Sequence, residues 1–276
     1  MGQFKSALVL KDEIFLPDYD SHDKMLQELG IENSVANASK VFVWVELSPT
    51  NGDIFSDVAG WKLKVDQGVL PEWWNEAERL PQLKELVGTW MREHMFYAGE
   101  HEVADGIWFA TGSATVKAIG SATVRVYGNA TVNAYNSATV NARDSATVNA
   151  YDSATVNARD SAAVTVYNSA TVRATDNAII RAYGSATVTA IDSVIVNACD
   201  SATVKAIDST TVRACGSATV RAYGSATVII PERFATDGVI ELNDDSVCIN
   251  HKIHIIRVLL VEQLKNIHCE DLFEQF

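Results

Sequence analysis

The sequence predicts a mainly β protein: a two-sided parallel β-solenoid of about 16 residues per coil, with an N-terminal α+β domain and a C-terminal capping segment. Three observations predict this fold. Fifteen consecutive octads run from Gly112 to about Val228. Small apolar and polar residues alternate along each octad, which is the pattern of a strand. The variable last position of the octad is most self-similar at every second octad.

Each octad has the form Gly/Asn/Asp-Ser-Ala-Thr-Val-x-Ala-x, as in Asp144–Tyr151. Because eight is an even number, every octad keeps the same residues on the same side of its strand. We therefore expect Ala146, Val148 and Ala150, and their equivalents, to face inward. The first position holds residues that tolerate positive φ and form turns. Each octad is thus predicted to be one strand and one corner.

The number of octads per coil follows from the eighth position. Tyrosines occupy it in alternate octads and are followed by two cysteines: Tyr135, Tyr151, Tyr167, Tyr183, Cys199 and Cys215. The intervening octads carry Arg143, Arg159, Thr175, Ile191 and Ile207. A coil of three octads would mix these sets, so the sequence favours two walls over three. Stacked at about 4.8 Å, the octads predict roughly seven to eight coils.

The segments on either side of the octads predict a domain at residues 1–110 and a cap at residues 231–276, around a solenoid at residues 111–230. The first segment has strand-like runs at Ser6–Leu10, Val41–Leu47 and Trp61–Val65, a helix after Ser21, and one or two helices within Glu72–Tyr97, interrupted at Pro81. The last segment has a strand near Val239–Leu242 and an apolar stretch, Ile253–Ile267, that fits an amphipathic helix.

Composition indicates a cytoplasmic protein without membrane spans. No apolar run approaches the roughly 18 residues that cross a bilayer, and Met1–Phe4 does not begin a secretory signal. Cys199 and Cys215 share one column, one coil apart, so their sulfurs come close enough to oxidise. The reducing cytosol nevertheless favours two thiols that simply replace tyrosines.

Charge is unevenly distributed along the chain, whose formal net charge is −13. Residues 1–111 hold 9 basic and 19 acidic side chains, whereas residues 112–230 hold 9 and 7. Acidic ends disfavour nucleic acid as a partner. A nucleic-acid mimic, considered as an alternative, needs its acidic residues along the solenoid. The solenoid arginines lie in separate columns without a dense basic patch: Arg125, Arg173 and Arg221 in one, Arg181 and Arg213 in another.

Two outward columns are candidate binding surfaces. Their residues are Tyr135, Tyr151, Tyr167 and Tyr183 in one column, and Thr123, Thr139, Thr155, Thr171, Thr187, Thr203 and Thr219 in the other. Stacked tyrosines suit a platform for sugars, bases or a protein, or they stabilise the ladder by neighbour contact alone. The threonine array resembles those of ice-binding β-solenoids, but only one clean column exists, and threonine is common on strands in any case.

Catalysis and metal binding have little support in the sequence. All six histidines lie outside the octads, and no octad gathers an acid, a base and a nucleophile. We therefore expect no catalytic residue, no metal and no cofactor. The strongest metal candidate, His251 and His254 with His268 and Cys269, lacks the paired cysteines of a zinc site. The aspartates at the corners are interpreted as turn formers.

A family resemblance rests on the run Gly128–Val140 and on the segments Val43–Pro49, Val65–Gln67 and Pro71–Trp74. The chain resembles uncharacterised bacterial and phage-encoded proteins that place Ala-Thr-Val octads after a small N-terminal domain. The resemblance implies a phage or mobile-element setting and carries over no catalytic residue.

Together these observations favour a non-enzymatic binding or structural protein that presents flat solenoid faces to a protein partner. Self-association through a solenoid face stays open as an alternative. So does an enzyme in the first domain, with the solenoid as a spacer, which would need a cleft gathering His94, His101 and carboxylates such as Glu72, Glu76 and Glu93.

Overall fold

The structure, a computed structural model, describes residues 5–231 and 238–250 and the backbone of residues 257–260. The chain forms two compact units, residues 1–94 and residues 95–276. The second unit therefore begins earlier than the composition change near residue 110. Residues 95–111 lack the octad sequence, but they form parallel strands that pair with the solenoid strands. The second unit therefore starts at residue 95, before the first octad.

The first unit is a small α+β fold built on one sheet with the strand order β2-β1-β3-β4. All three strand pairings are antiparallel. The strands are β1 (Lys5–Leu10), β2 (Ile14–Phe15), β3 (Phe42–Ser48) and β4 (Lys62–Val65). The helices are α1 (His22–Glu28), α2 (Val35–Ala38) and α3 (Glu76–His94), with a 3₁₀ turn at Val58–Gly60. The strands predicted in this unit are confirmed within a residue or two.

Helix α1 begins where the sequence predicts. The Ser21 hydroxyl accepts a hydrogen bond from the Lys24 N–H at 3.3 Å, which satisfies one of the free donors of the first turn. The buried side of α1 then packs on the sheet, and the shared core cluster consists of Leu8, Met25, Leu26 and Phe42.

Helix α3 is a single helix that passes through Pro81. The predicted interruption is therefore wrong. Pro81 lies in the second turn, so its missing N–H removes one hydrogen bond near the helix start. The burial of Leu83, Val87 and Trp90 further along holds the helix on the core of the unit.

The second unit is a parallel β-solenoid. Its first two strands, β5 (Met95–Val103) and β6 (Ile107–Ala118), each run along both walls. The tyrosine wall continues with β8 (Thr131–Ala134), β10 (Thr147–Ala150), β12 (Ala163–Val166), β14 (Ile179–Ala182), β16 (Ile195–Ala198), β18 (Thr211–Ala214), β20 (Thr227–Ile230) and β22 (Val247–Asn250). The threonine wall continues with β7 (Thr123–Val126), β9 (Thr139–Ala142), β11 (Thr155–Ala158), β13 (Thr171–Ala174), β15 (Thr187–Ala190), β17 (Thr203–Ala206), β19 (Thr219–Ala222), β21 (Val239–Leu242) and β23 (Arg257–Leu260).

Strand pairing confirms two walls and a coil of roughly 16 residues. Val132 pairs with Val148 in the tyrosine wall, and Val140 pairs with Val156 in the threonine wall. The solenoid has about 9 coils. This exceeds the number predicted from the octads, because β5, β6 and the strands after Ile230 extend both walls.

The core of the solenoid is a thin apolar seam between the walls. Ala146, Val148 and Ala150 are each 0% exposed, as are most of their equivalents along the solenoid. The predicted inward set is confirmed. Small side chains allow the two walls to approach closely, so the seam is dry and leaves little room for a larger residue.

The corners use left-handed backbone at the first octad position. Asp144, Asp160 and Asp208 have φ values of 55°, 55° and 59°. Aspartate tolerates this conformation better than most residues. Gly112 also has positive φ, and a Cβ there would lie 2.5 Å from the Tyr97 carbonyl oxygen, so only glycine fits.

Both ends of the solenoid depart from the octad. At the first coil, the ring of His101 stacks on Phe96 at 3.8 Å, and Phe96 stacks on Trp108 at 5.4 Å, which covers the end of the seam. At the other end, Val239 pairs with Arg257, the first residue of β23. The helix predicted across Ile253–Ile267 is therefore wrong at residues 257–260, because apolar residues there continue the threonine wall. The rest of that segment lies outside the described residues.

The seam makes a direct prediction about volume. We expect Ala150→Leu, which adds atoms to a filled interior, to lower the free energy of unfolding by about 1–3 kcal/mol. Thr147→Leu is the matched control on the exposed side of the same strand, with an expected change within about 0.5 kcal/mol. Urea unfolding measures both. Equal effects of the two substitutions would contradict the inward-facing assignment.

Candidate functional site

The tyrosine column lies at the carboxyl edge of the tyrosine wall. Each tyrosine directly follows an inward residue, which is a valine before Tyr167 and an alanine before the other three, so the register of the strands stacks the tyrosines one coil apart. All four side chains are half-buried: Tyr135, Tyr151, Tyr167 and Tyr183. The structure therefore brings together the four residues that the sequence nominates.

The tyrosine rings are stacked face to face. The ring centroids of Tyr135 and Tyr151 lie 4.8 Å apart, and the two ring planes are 8° from parallel. For Tyr151 and Tyr167 the centroid distance is 5.0 Å and the angle between planes is 5°. Tyr183 continues the stack at 5.5 Å from Tyr167. Burial raises the pKa of Tyr151, and the two neighbouring tyrosines raise it further. Both faces of each inner ring are covered by neighbours, so the column presents ring edges and hydroxyl groups.

Asparagine ladders run beside the outer columns of both walls. The Asn149 side-chain amide donates to Asn133 Oδ1 at 2.9 Å on the tyrosine wall, and Asn157 donates to Asn141 Oδ1 at 3.2 Å on the threonine wall. These ladders tie successive coils together and orient the amide groups. These bonds were not predicted from the sequence, although asparagine recurs there at the coil spacing.

One outward column of the tyrosine wall carries aliphatic residues in three consecutive coils. Ala163, Ile179 and Ile195 follow one another in register, and the two isoleucines are 38% and 42% exposed. Among the outward residues of the octad strands of this wall, from Thr115 to Ile229, there is no aspartate or glutamate. The wall is therefore a flat surface of tyrosine, amide, hydroxyl and aliphatic groups with a few basic side chains.

The threonine wall carries the predicted uninterrupted threonine column. Its members pair in register one coil apart: Thr123, Thr139, Thr155, Thr171, Thr187, Thr203 and Thr219. The adjacent column is mixed, with Arg125, Arg173 and Arg221 separated by asparagine, threonine and lysine. Threonines thus form one regular row beside charged side chains, and a second matching row is not present in this wall.

The corner aspartates do more than form turns. Their carboxylates accept hydrogen bonds from the backbone N–H of the corner residue one coil earlier. Asp144 accepts from Gly128 at 3.1 Å, and Asp160 accepts from Asp144 at 3.2 Å. On the opposite corner, Asp200 accepts from Gly184 at 2.9 Å. These bonds add to the backbone bonds that link successive coils at the corners, such as that from the Ser161 N–H to the Asp144 carbonyl at 2.9 Å, and the sequence signal was the repeat of aspartate at the coil spacing.

Cys199 and Cys215 form a disulfide bond in the structure, so the expectation of two separate thiols is not met. The two residues continue the tyrosine column one coil apart, and their Cα atoms are 4.7 Å apart. This Cα spacing lies within the range of disulfides. The in-register stacking of one column therefore places the sulfurs together, whatever compartment the composition suggests.

Within the first unit, the ring of His94 contacts a backbone carbonyl and a carboxylate. His94 Nδ1 lies 2.9 Å from the Trp90 carbonyl oxygen, and His94 Nε2 lies 3.1 Å from Asp18. Both ring nitrogens are thus engaged within the first unit, whereas His101 belongs to the second. Glu76 and Glu93 lie near opposite ends of α3, about 25 Å apart along the helix.

Neither a cluster of metal-ligating side chains nor a bilayer-spanning helix occurs in the described residues. Across residues 5–231 and 238–250, no three His, Cys, Asp or Glu side chains come together in a way that would hold a metal ion. His251, His254, His268 and Cys269 lie outside the described residues. None of the helices in the described ranges has the length and apolar character of a bilayer-spanning segment.

Comparison with known proteins gave no match: no family model, no curated protein and no solved structure is significantly similar to this chain. The candidate site therefore rests on its own geometry.

The corner ladder predicts a dependence on pH. Asp176 has a lowered pKa because its carboxylate accepts from the Thr175 hydroxyl at 2.8 Å and from the Asp160 N–H at 3.3 Å, with Arg159 nearby. A lowered folded-state pKa means that its stabilising effect is present above the ordinary value of about 3.9 and is lost as the pH falls through the lowered value.

We therefore expect Asp176→Asn to flatten the acid side of the stability profile, followed by thermal unfolding from neutral pH downwards. Thr175→Val, which removes only the hydroxyl donor, is expected to act in the same direction with a smaller effect. A profile for Asp176→Asn that coincides with that of the parent chain would contradict this account.

The disulfide makes a second prediction. The two cysteines are 16 residues apart in sequence, and closing a loop of this length stabilises a fold by about 3 kcal/mol. Treatment with a reductant is therefore expected to lower the urea midpoint of the purified protein. The double variant Cys199→Ala with Cys215→Ala serves as the control, because its midpoint should not respond to reductant. An equal response of both proteins would show that this bond is not the cause.

Proposed function

We propose that this chain is a non-enzymatic binding protein that recognises another protein through the tyrosine wall. The observation that carries the proposal is the stack from Tyr135 to Tyr183, half-buried and aligned along one edge of a flat wall. The rings are already ordered by their neighbours, so binding through them costs little further conformational entropy.

The geometry of the stack favours a protein over a sugar or a nucleobase. Sugars and bases bind aromatic residues by lying on a ring face. In this column the faces of Tyr151 and Tyr167 are covered by the adjacent tyrosines. Ring edges, hydroxyls and the asparagine amides remain, and these groups suit protein surfaces, where tyrosine is enriched.

The other candidate functions have weaker support. The threonine wall has one regular threonine row next to arginine and lysine, and ice binding by analogy with known solenoids would call for paired rows. An enzyme in the first unit would have to use His94 in its contacts with Asp18 and Trp90, and the candidate carboxylates Glu76 and Glu93 lie near opposite ends of α3. A cytoplasmic location and a phage or mobile-element origin are parts of the same proposal and rest on composition and on the resemblance of the octads.

The proposal is tested by replacing Tyr135, Tyr151 and Tyr167 with serine in the full chain. We expect the variant to lose the protein that the parent chain captures from a lysate of its native host, because the edge contacts are removed. The matched control is serine at Thr139, Thr155 and Thr171, in the same number of positions on the opposite wall. Capture that survives the tyrosine changes but is lost in the control would refute the assignment to the tyrosine wall.

A further inference from the structure

We propose that the tyrosine wall binds a second copy of this chain. The inference rests on the proposed function and names the partner. In the arrangement we infer, the two walls meet face to face around a two-fold axis that runs along the strand direction, midway between Tyr151 and Tyr167. The coils of the two copies then stack in opposite order, and each outward column faces the same column of the partner copy.

The tyrosine stack is centred on this axis. Tyr151 of one copy faces Tyr167 of the other, and Tyr135 faces Tyr183, so all four tyrosines are used. The two stacks share the spacing of one coil per ring, so their edges and hydroxyls meet in register along the whole column. A partner without this repeat would match the column at one or two tyrosines only.

Charge supplies an independent reason for the opposite order of coils. The central outward column begins with Glu102 and reaches Arg213 seven coils later: Glu102, Lys117, Asn133, Asn149, Thr165, Arg181, Asn197 and Arg213. The axis that centres the tyrosines also places Glu102 of each copy opposite Arg213 of the other. Both side chains are exposed, and Glu102 also lies 2.9 Å from Lys117 of its own chain.

The other facing pairs carry no like-charge contact. Lys117 faces Asn197, and Arg181 faces Asn133. A parallel dimer with the axis along the solenoid would instead place Arg181 against Arg181 and Arg213 against Arg213, which is repulsive. The charge pattern therefore selects the opposite order of coils over the parallel one.

In the outer column on the other edge of the wall, the dimer covers two exposed aliphatic residues. Ile179, which is 38% exposed, faces Thr131 of the second copy, and Ile195, which is 42% exposed, faces Thr115. Both isoleucines leave solvent on a surface where they would otherwise stay exposed.

The area of the wall matches what a stable dimer needs. Eight coils at about 4.8 Å and five residues of strand at about 3.3 Å give a contact of roughly 650 Å² per copy. The two copies together bury roughly 1,300 Å², which lies within the range of about 1,200–2,000 Å² for specific interfaces.

The test measures the oligomeric state of the full chain by sedimentation equilibrium over a dilution series. We expect a dimer for the parent chain. Arg213→Glu places two like charges together at each of the two equivalent contacts, so the dimer dissociation constant is expected to rise about a hundredfold. Combining it with Glu102→Arg restores opposite charges, and the dissociation constant is expected to return to within about tenfold of the parent value.

Arg173→Glu is the matched control, since Arg173 is an exposed arginine in the threonine wall, and it should leave the dimer unchanged. Circular dichroism of each variant checks that the solenoid is folded. A parent chain that stays monomeric overturns the inference, as does a dimer that Arg213→Glu and Arg173→Glu weaken equally. If the chain is monomeric but the tyrosine variant still loses its captured protein, the second copy is excluded while the proposed function stands.

Discussion

Every other feature of the solenoid depends on a dry seam two side chains thick. Most octads contribute an Ala-Val-Ala set, with valine, isoleucine or threonine at a few of these positions, and the side chains close on one another with almost no exposure to solvent. Such a seam is stable only when many coils stack, because one coil buries too little apolar area to offset its loss of conformational entropy. The even length of the repeat preserves the seam, since in a repeat of odd length the alanines would face outward in every second repeat.

The seam leaves the corners as the weak points of the coil, and the structure strengthens them in two ways. Left-handed backbone at Asp144 and its equivalents turns the chain within two residues. The aspartate carboxylates also accept hydrogen bonds from the backbone of the preceding coil, in addition to the backbone bonds between coils at the corner. One residue type therefore meets the conformational and the hydrogen-bonding demand of the corner, which explains why aspartate recurs there.

A thin core with two flat walls also determines what the surface can do. Outward residues lie in columns at the coil spacing, and where one residue type recurs in a column its side chains stack on one another, as in the tyrosine column and the asparagine ladders. Stacking orders the groups but covers the aromatic faces. The proposed binding therefore uses ring edges, hydroxyls and amides over a broad plane, whereas most small-molecule sites are concave pockets.

Residue order alone determined the two walls, the inward Ala-Val-Ala set and the membership of the tyrosine and threonine columns, because the repeat has a fixed length and the strand has a fixed alternation. Tertiary structure determined the features that the repeat length does not specify. Strand β5 and the first part of β6 join the solenoid without the octad sequence, since pairing with a neighbouring coil depends on backbone hydrogen bonds and tolerates other side chains. Residues 257–260 form a strand for the same reason, although their apolar pattern also suits a helix. The Cys199–Cys215 bond and the covered faces of the tyrosines depend on distances between coils, and these distances are set only when the walls close on the seam.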